Sequence, residues 1–248
     1  NNTHNKNFGS THKERNIREL KLEDLPNPED IEFVIGSPPC TQFSFANRGG
    51  NGNIEDGLID IKKFLEVVEY LKPKYWAMEN VPRVAKILEK EIEQGGSLYR
   101  FKKLFSLNGI RVYDSSDFGV PQKRKRMIAG RLPFELLESY KGRTPNITMG
   151  DVLDALNKDT ITDPNYGIVL NREEITDHVK ETPLSDEEAR INRDSKSYHA
   201  IYNAMSFPDR WDKPSRTITA LCTRVSRESI IIQDHEGDLR RLTVRERG

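Results

Sequence analysis

The chain has 248 residues, 35% hydrophobic and 31% charged, enough for one large core or two modest ones. No apolar stretch approaches a membrane span, no signal-peptide pattern opens the sequence, and two cysteines, Cys40 and Cys222, are too few for a disulfide framework and fit a reducing cytoplasm. Thirty-nine basic residues balance thirty-nine acidic ones, so net charge gives no argument for a nucleic-acid partner and local charge must carry it.

In chain order, Ile31-Glu32-Phe33-Val34-Ile35 is the first short apolar run. Gly36 and two prolines stop it, which predicts a buried strand ending in a rigid loop that carries Cys40. Residues 57–71 place Leu58, Ile61, Phe64, Leu65, Val68 and Leu71 at helical spacing, and Pro73 ends that helix. Tyr75-Trp76-Ala77-Met78 predicts the next strand, with Glu79-Asn80-Val81-Pro82 at its carboxyl end. Ser97 to Leu107 reads as an amphipathic helix, with Leu98, Phe101, Leu104 and Phe105 on one side and Gly109 as its stop. Ile110-Arg111-Val112-Tyr113 and Arg126-Met127-Ile128-Ala129-Gly130 predict two further strands, joined by a loop that holds Gly119, Val120 and Pro121. The alternation predicts an α/β sheet. After about residue 132 the periodicity weakens and proline-interrupted polar stretches take over, so a first domain is expected over 1–131 and a second, smaller one over 132–248.

Three blocks of reactive side chains border these strands, and one sheet edge would gather them although the chain separates them widely. A lone cysteine after a strand is more often an inert small hydrophobe than a nucleophile. Cys40 differs because two prolines fix the backbone ahead of its thiol, at the place where open α/β sheets hold ligands. The thiolate is the reactive form, and arginines after Gln122 are candidates to favour it. Glu79 follows a buried strand directly, a position that favours function over solvation. Arg124 and Arg126 alternate with Lys123 and Lys125, so an extended segment turns the arginines to one face, where they could grip a base and phosphates. Gln122 adds a neutral hydrogen-bonding group. Basic residues recur at Arg210, Lys213, Arg216, Arg224, Arg227, Arg240, Arg241, Arg245 and Arg247, and such a run taken alone is more often a solvated surface.

Together the blocks resemble the DNA cytosine-5 methyltransferase family, of the bacterial restriction-modification type. The family carries a Pro-Cys motif, a Glu-Asn-Val motif and a Gln-x-Arg-x-Arg motif. Here Pro39-Cys40, Glu79-Asn80-Val81 and Gln122-Lys123-Arg124-Lys125-Arg126 occur in that order. Pro214-Ser215-Arg216-Thr217-Ile218-Thr219-Ala220 resembles a further family segment, and Arg241-Leu242-Thr243-Val244-Arg245-Glu246 the start of its final motif region. The resemblance implies a class I methyltransferase, Rossmann-like sheet, incomplete in this chain, with a smaller target-recognition domain after it. It also implies a cytoplasmic (bacterial) or nucleoid-associated enzyme whose partners are S-adenosylmethionine and double-stranded DNA.

The same resemblance assigns roles. Cys40 would add to C6 of a flipped-out cytosine, Glu79 would hold N3 and the amino group, and Arg126, with Arg124, would bind the O2 edge and a neighbouring phosphate. Asn16, Ile17, Ser37, Pro39 and Leu58 would bind the cofactor, and Gln122, Arg224 and Arg227 the DNA. The Thr223-Arg224-Val225-Ser226-Arg227-Glu228 segment could read bases in the major groove or only position phosphates.

The sequence also departs from the family pattern. No Phe-x-Gly-x-Gly loop precedes Cys40, and no closing Gly-Asn motif follows Arg247. Asn1 to Phe8 resembles the loop after the family's second strand, Asn16 stands where an acid contacts adenine, and Thr41 replaces the usual glutamine after the nucleophile. Three readings stay open: part of an ordinary monomeric enzyme, a subunit of a split methyltransferase completed by a partner, or a DNA-binding relative that no longer methylates. The Cys-Phe-Thr triplet of the tRNA-directed relatives is absent.

Overall fold

A computed structural model describes residues 2–9, 15–43, 52–107, 109–158, 160–162, 167–198, 204–220 and 222–248. The chain divides into two compact units. Asn1–Tyr113 with Lys125–Glu138 form one, and Asp114–Arg124 with Ser139–Gly248 form the other. The expected single boundary at residue 132 is therefore replaced by an exchange, in which Asp114–Arg124 joins the second unit. Non-local hydrogen bonds cause it: Lys123 N–H donates to Ser215 O at 2.8 Å, Ser215 N–H to Pro121 O at 2.9 Å and Thr217 Oγ1 to Lys123 O at 2.7 Å.

In the first unit, α1 (Asn2–Phe8) forms where a loop is expected, with the His4 and Phe8 rings one turn apart in a tilted contact at 4.9 Å. Strand β1 (Phe33–Gly36) is followed by α2 (Ile54–Leu71), which Asn53 caps by accepting from the Asp56 N–H, and by β2 (Tyr75–Asn80). Next come α3 (Arg83–Glu91), β3 (Ile110–Asp114), β4 (Lys125–Arg131) and the short α4 (Phe134–Glu138). The sheet order is β1-β2-β4-β3. β1 runs parallel to β2, as a strand returning through a helical crossover must, and β2 runs antiparallel to β4. The α/β sheet expected from the alternation is present.

Side-chain alternation along β2 decides where the core lies. Trp76, Met78 and Asn80 are buried and face the helices, while Tyr75, Ala77 and Glu79 point to the opposite side. Ile61, Phe64, Leu65 and Val68 of α2 and Val84, Ala85 and Leu88 of α3 complete the core with Met127 and Ala129 of β4. On the other side Phe33 and Ile35 are exposed.

Two expectations change. Ser97 to Leu107 is not an α-helix: it holds a 3-10 helix, Tyr99–Leu104. Leu98 and Phe101 are buried and Leu104 packs against the core, a strict three-residue spacing that suits three residues per turn. α3, unassigned from sequence, forms because Val84, Ala85 and Leu88 make a narrow apolar stripe on an otherwise charged segment.

The second unit packs α5 (Met149–Leu156) with two hairpins, β5 (Thr160–Thr162) with β6 (Val169–Asn171) and β7 (Ile231–Gln233) with β8 (Leu239–Arg241). Met149, Leu153, Ile230, Ile232 and Leu242 form its apolar centre. α6 (Asp186–Ser197), capped by Ser185, and the short α7 (Val244–Arg247) complete it. Among the described residues no helix is long and apolar enough to cross a membrane.

Candidate active site

The loop after β1 is held at both ends. At its start, a Cβ on Gly36 would stand 2.4 Å from the Phe64 ring, so only glycine lets the strand end lie this close to α2. Buried Asn80 donates from Nδ2 to Pro38 O at 3.0 Å and accepts the Val81 N–H on Oδ1 at 2.9 Å, which fastens the proline loop to the end of β2. Beyond the cysteine, the Phe43 N–H donates to Cys40 O at 2.9 Å and the Phe43 ring is fully buried. Cys40 itself is exposed, carried on a short segment fixed on either side. The clamp by Asn80 was not foreseen from sequence, although an amide at a buried strand end is a signal that backbone groups nearby need partners.

Glu79 lies on the sheet face opposite the core. Its Oε1 lies 2.8 Å from Arg126 Nε in an ion pair, and its Oε2 accepts from the Ser37 hydroxyl at 2.5 Å. Arg126 Nη1 donates to Lys125 O at 2.7 Å, which fixes the guanidinium further. Three neighbouring strands thus supply the cluster: β1 leads into Ser37 and Cys40, β2 brings Glu79 and β4 brings Arg126. Arg124, expected beside Arg126, belongs to the other unit. Its backbone N–H donates to Asp114 Oδ1 at 3.2 Å and its side chain is exposed. Gln122 also lies in that unit, bridged to Ser215, its carbonyl accepting from Ser115 Oγ at 2.6 Å.

The residues expected to hold the cofactor scatter in role. Asn16 caps a 3-10 turn, Ile17–Glu19, accepting the Arg18 N–H on Oδ1 at 3.0 Å and donating to Glu19 Oε1 at 3.0 Å. Each of its polar atoms keeps capacity for one more bond. Ile17 and Leu58 are half-buried against the core, Pro39 is exposed, and the Ser37 hydroxyl is spent on Glu79. Arg18, not singled out from sequence, pins the turn to α2 through a paired contact with Asp60 at 2.6 and 2.8 Å and a bond to Asp56 Oδ1 at 3.1 Å. These carboxylates hold the Arg18 guanidinium well above its ordinary range. Asp56 Oδ2 in turn accepts from Gln42 Nε2 at 3.2 Å, two residues beyond Cys40. An amide with spare bonding capacity beside half-buried apolar side chains suits an adenine ring, so the residues present fit the adenosine end of S-adenosylmethionine.

In the second unit several arginines are tied to acids of the same unit. Arg216 pairs with Asp209, Arg240 with Asp234 and Glu246, Arg241 with Glu181, and Arg245 with Asp177. Arg224 binds both oxygens of Glu188, at 2.5 and 2.7 Å, and the carbonyls of Thr182 and Pro183. Arg227 Nη1 donates to the Ser195 and Lys196 carbonyls. Both residues singled out for DNA contact therefore also brace the frame of their unit. Asp234, Glu236 and Asp238 bring carboxylates within 4.8 Å of one another, and Lys180 Nζ contacts all three.

The chain is similar to known methyltransferases. The type II methyltransferase M1.HphI of Haemophilus parahaemolyticus is 31% identical over 155 residues, 59% of this chain and 40% of that protein. The type II methyltransferase M1.HgaI of Avibacterium volantium is 26% identical over 238 residues, 80% of this chain and 60% of that protein. The chain thus spans between two fifths and three fifths of the length of these two relatives. Among solved structures, the S. pombe Dnmt2 methyltransferase shares the fold, with a TM-score of 0.55 and 15% identity over 98% of this chain and 71% of that one. The family profile for C-5 cytosine-specific DNA methylases matches residues 1–248, and the chain belongs to that family.

Proposed function

We propose that the protein methylates C5 of a cytosine flipped out of a specific double-stranded DNA sequence, with Cys40 as the covalent nucleophile. The observation that carries this reading is the joining of the nucleophile loop to Glu79 through Ser37, with Arg126 on the second carboxylate oxygen. The Cys40 thiolate forms the bond to C6. The C5–C6 π pair shifts towards C4, the C4–N3 pair moves to N3, and N3 takes a proton from the Glu79 carboxyl. The ring, now an enamine, is nucleophilic at C5. S-adenosylmethionine, when bound, supplies the methyl group as an electrophile. Loss of the C5 proton to solvent restores the C5–C6 double bond and expels the Cys40 thiolate, while the N3 proton returns to the Glu79 carboxylate.

Arg126 orients the Glu79 carboxyl and turns its remaining donors to the O2 side of the base and a phosphate. Asn16, Ile17 and Leu58 hold the adenosine end of the cofactor, with Pro39 beside them. The second unit holds the duplex. Exposed Lys123 and Arg124 and the neighbouring Gln122 meet its backbone, while Arg224 and Arg227 keep the recognition surface in shape and lend their remaining donors to the DNA.

Fluorine at C5 blocks the final elimination, so a duplex carrying 5-fluorocytosine should trap the full-length protein as a denaturant-stable complex in the presence of S-adenosylmethionine. Cys40→Ser should abolish the complex. A complex that survives this substitution, or none with the unmodified protein on any cytosine-containing site, would sink the proposal.

A further inference from the structure

Glu79 is gripped from two sides by groups of different chemistry. Arg126 offers only donors, so it complements an ionised carboxylate. A serine hydroxyl can donate to a carboxyl oxygen in both the ionised and the neutral form. We infer that Ser37 is a positioning residue of the proton-transfer step: its hydroxyl fixes the rotation of the Glu79 carboxyl and stays bonded to it before and after the proton passes to the base. The inference rests on the methyltransferase reading above and gives Ser37 a role other than cofactor binding.

The geometry supports it in three ways. The Ser37 Oγ to Glu79 Oε2 separation of 2.5 Å lies in the range of a charge-assisted O–H···O bond. The serine backbone is restrained on both sides, by Gly36 packed on the Phe64 ring and by Pro38, whose carbonyl is bonded to Asn80 at 3.0 Å and whose ring confines Ser37 to extended conformations. The hydroxyl is therefore held in place by the fold before substrate arrives. Lastly, β2 lies between β1 and β4 in the sheet, so Ser37 and Arg126 approach Glu79 from opposite sides. One oxygen faces each, and the carboxyl cannot rotate without breaking the Ser37 bond and drawing the other oxygen from Arg126.

In the reaction, the proton that reaches N3 leaves the Glu79 carboxyl as the S–C6 bond forms, and the carboxyl ends as a carboxylate. During that change the Ser37 hydroxyl goes on donating to Oε2, so the acid proton stays free to face N3 and no heavy atom has to move. A water in its place would have to be ordered anew at each turnover.

Two variants of the full-length protein test this, Ser37→Ala and Ser37→Thr. Threonine keeps the hydroxyl, and its branched Cβ suits the extended backbone before Pro38. At saturating DNA and S-adenosylmethionine, Ser37→Ala should lower the single-turnover methylation rate about tenfold or more, the scale of a weakened acid-base step, with threonine restoring it to within about threefold. Dissociation constants for both ligands and the thermal unfolding midpoint should stay close to those of the unmodified protein in both variants. An unchanged rate in Ser37→Ala overturns the inference, as does a loss confined to S-adenosylmethionine affinity or a correctly folded threonine variant that fails to recover. These outcomes leave the methyltransferase reading intact. Failure of the unmodified protein to methylate any cytosine at C5 removes both.

Discussion

Arg126 Nε and Glu79 Oε1 meet at 2.8 Å on adjacent antiparallel strands, although the residue directly opposite Glu79 is Ile128. The contact is diagonal, two residues off register, and only a side chain as long as arginine spans it. Arg126→Ala frees one carboxylate oxygen and removes the cation from the sheet face on which Glu79 lies. The single-turnover rate should fall on the order of 100-fold, while DNA affinity changes only a few-fold, since the loss is felt in the transition state. Arg126→Lys should recover little, because an ammonium cannot reproduce the planar fork. Rapid-quench methylation assays beside DNA titrations check both, and a saturated rate unaffected by Arg126→Ala would show that this arginine serves binding alone.

Arg18 reaches two acids of α2 and, through Asp56, the Gln42 side chain two residues beyond Cys40. Arg18→Met should release the turn that carries Asn16 and Ile17. The expected outcome is an S-adenosylmethionine dissociation constant raised about tenfold, the loss of roughly 1.4 kcal/mol of preorganisation. Calorimetric titration of the full-length protein measures it. Unaltered affinity in a folded variant would place the adenosine end elsewhere.

Lys196 is fully buried in the second unit, its Nζ donating to Asn192 Oδ1 at 2.7 Å. Burial pushes its ammonium down to about 8 from the ordinary 10.5, against the favourable pull of Asp209. Between those two values the unfolded chain binds more protons at this site than the folded one, so stability rises with pH across that window; below pH 8 the full penalty of the buried charge is present. The whole rise is on the order of 3 kcal/mol. Urea unfolding at pH 7.5 and 9.5 should show it, and Lys196→Met should flatten this part of the profile. Equal slopes in the two proteins would contradict the assignment.

Glu188 is held down at about 2 by the Arg224 guanidinium and the Ser185 N–H. Its carboxylate stabilises the folded unit fully above the ordinary 4.5, and that contribution fades as pH falls towards 2. Arg224→Ala should therefore lower the unfolding midpoint most at pH 7 and least near pH 2.5. Carboxyl resonances followed by NMR should show Glu188 titrating closer to 4.5 in the variant. DNA binding measured at a temperature where both proteins are folded then isolates any direct contact, expected to change the salt slope by about one unit for a phosphate.

The family's motifs and the sheet that carries them were legible because short apolar runs and proline stops are local signals. Cys40, Glu79 and Arg126 sit where strand ends bring them. Their partners were not legible. Nothing in the sequence near Ser37 says that its hydroxyl meets a carboxylate forty-two residues away. The arginines of the second half read as a basic surface, but Arg241 pairs with Glu181 and Arg245 with Asp177, acids that only the fold brings near. Residues 97–107 were misread because periods of 3.0 and 3.6 barely differ over two turns. The exchange of Asp114–Arg124 depends on Ser215, far along the chain, and leaves no local trace.

β1 is the outermost strand of its sheet, and among the described residues nothing pairs with its free side. A row of open peptide groups beside exposed Phe33 and Ile35 is a template on which another extended polypeptide can add by backbone hydrogen bonding. The strand is only four residues long, and Pro38 and Pro39 lack the N–H groups that would carry a ladder further. The prolines that stiffen the loop carrying Cys40 thus also limit how far such an added strand can zip along this edge.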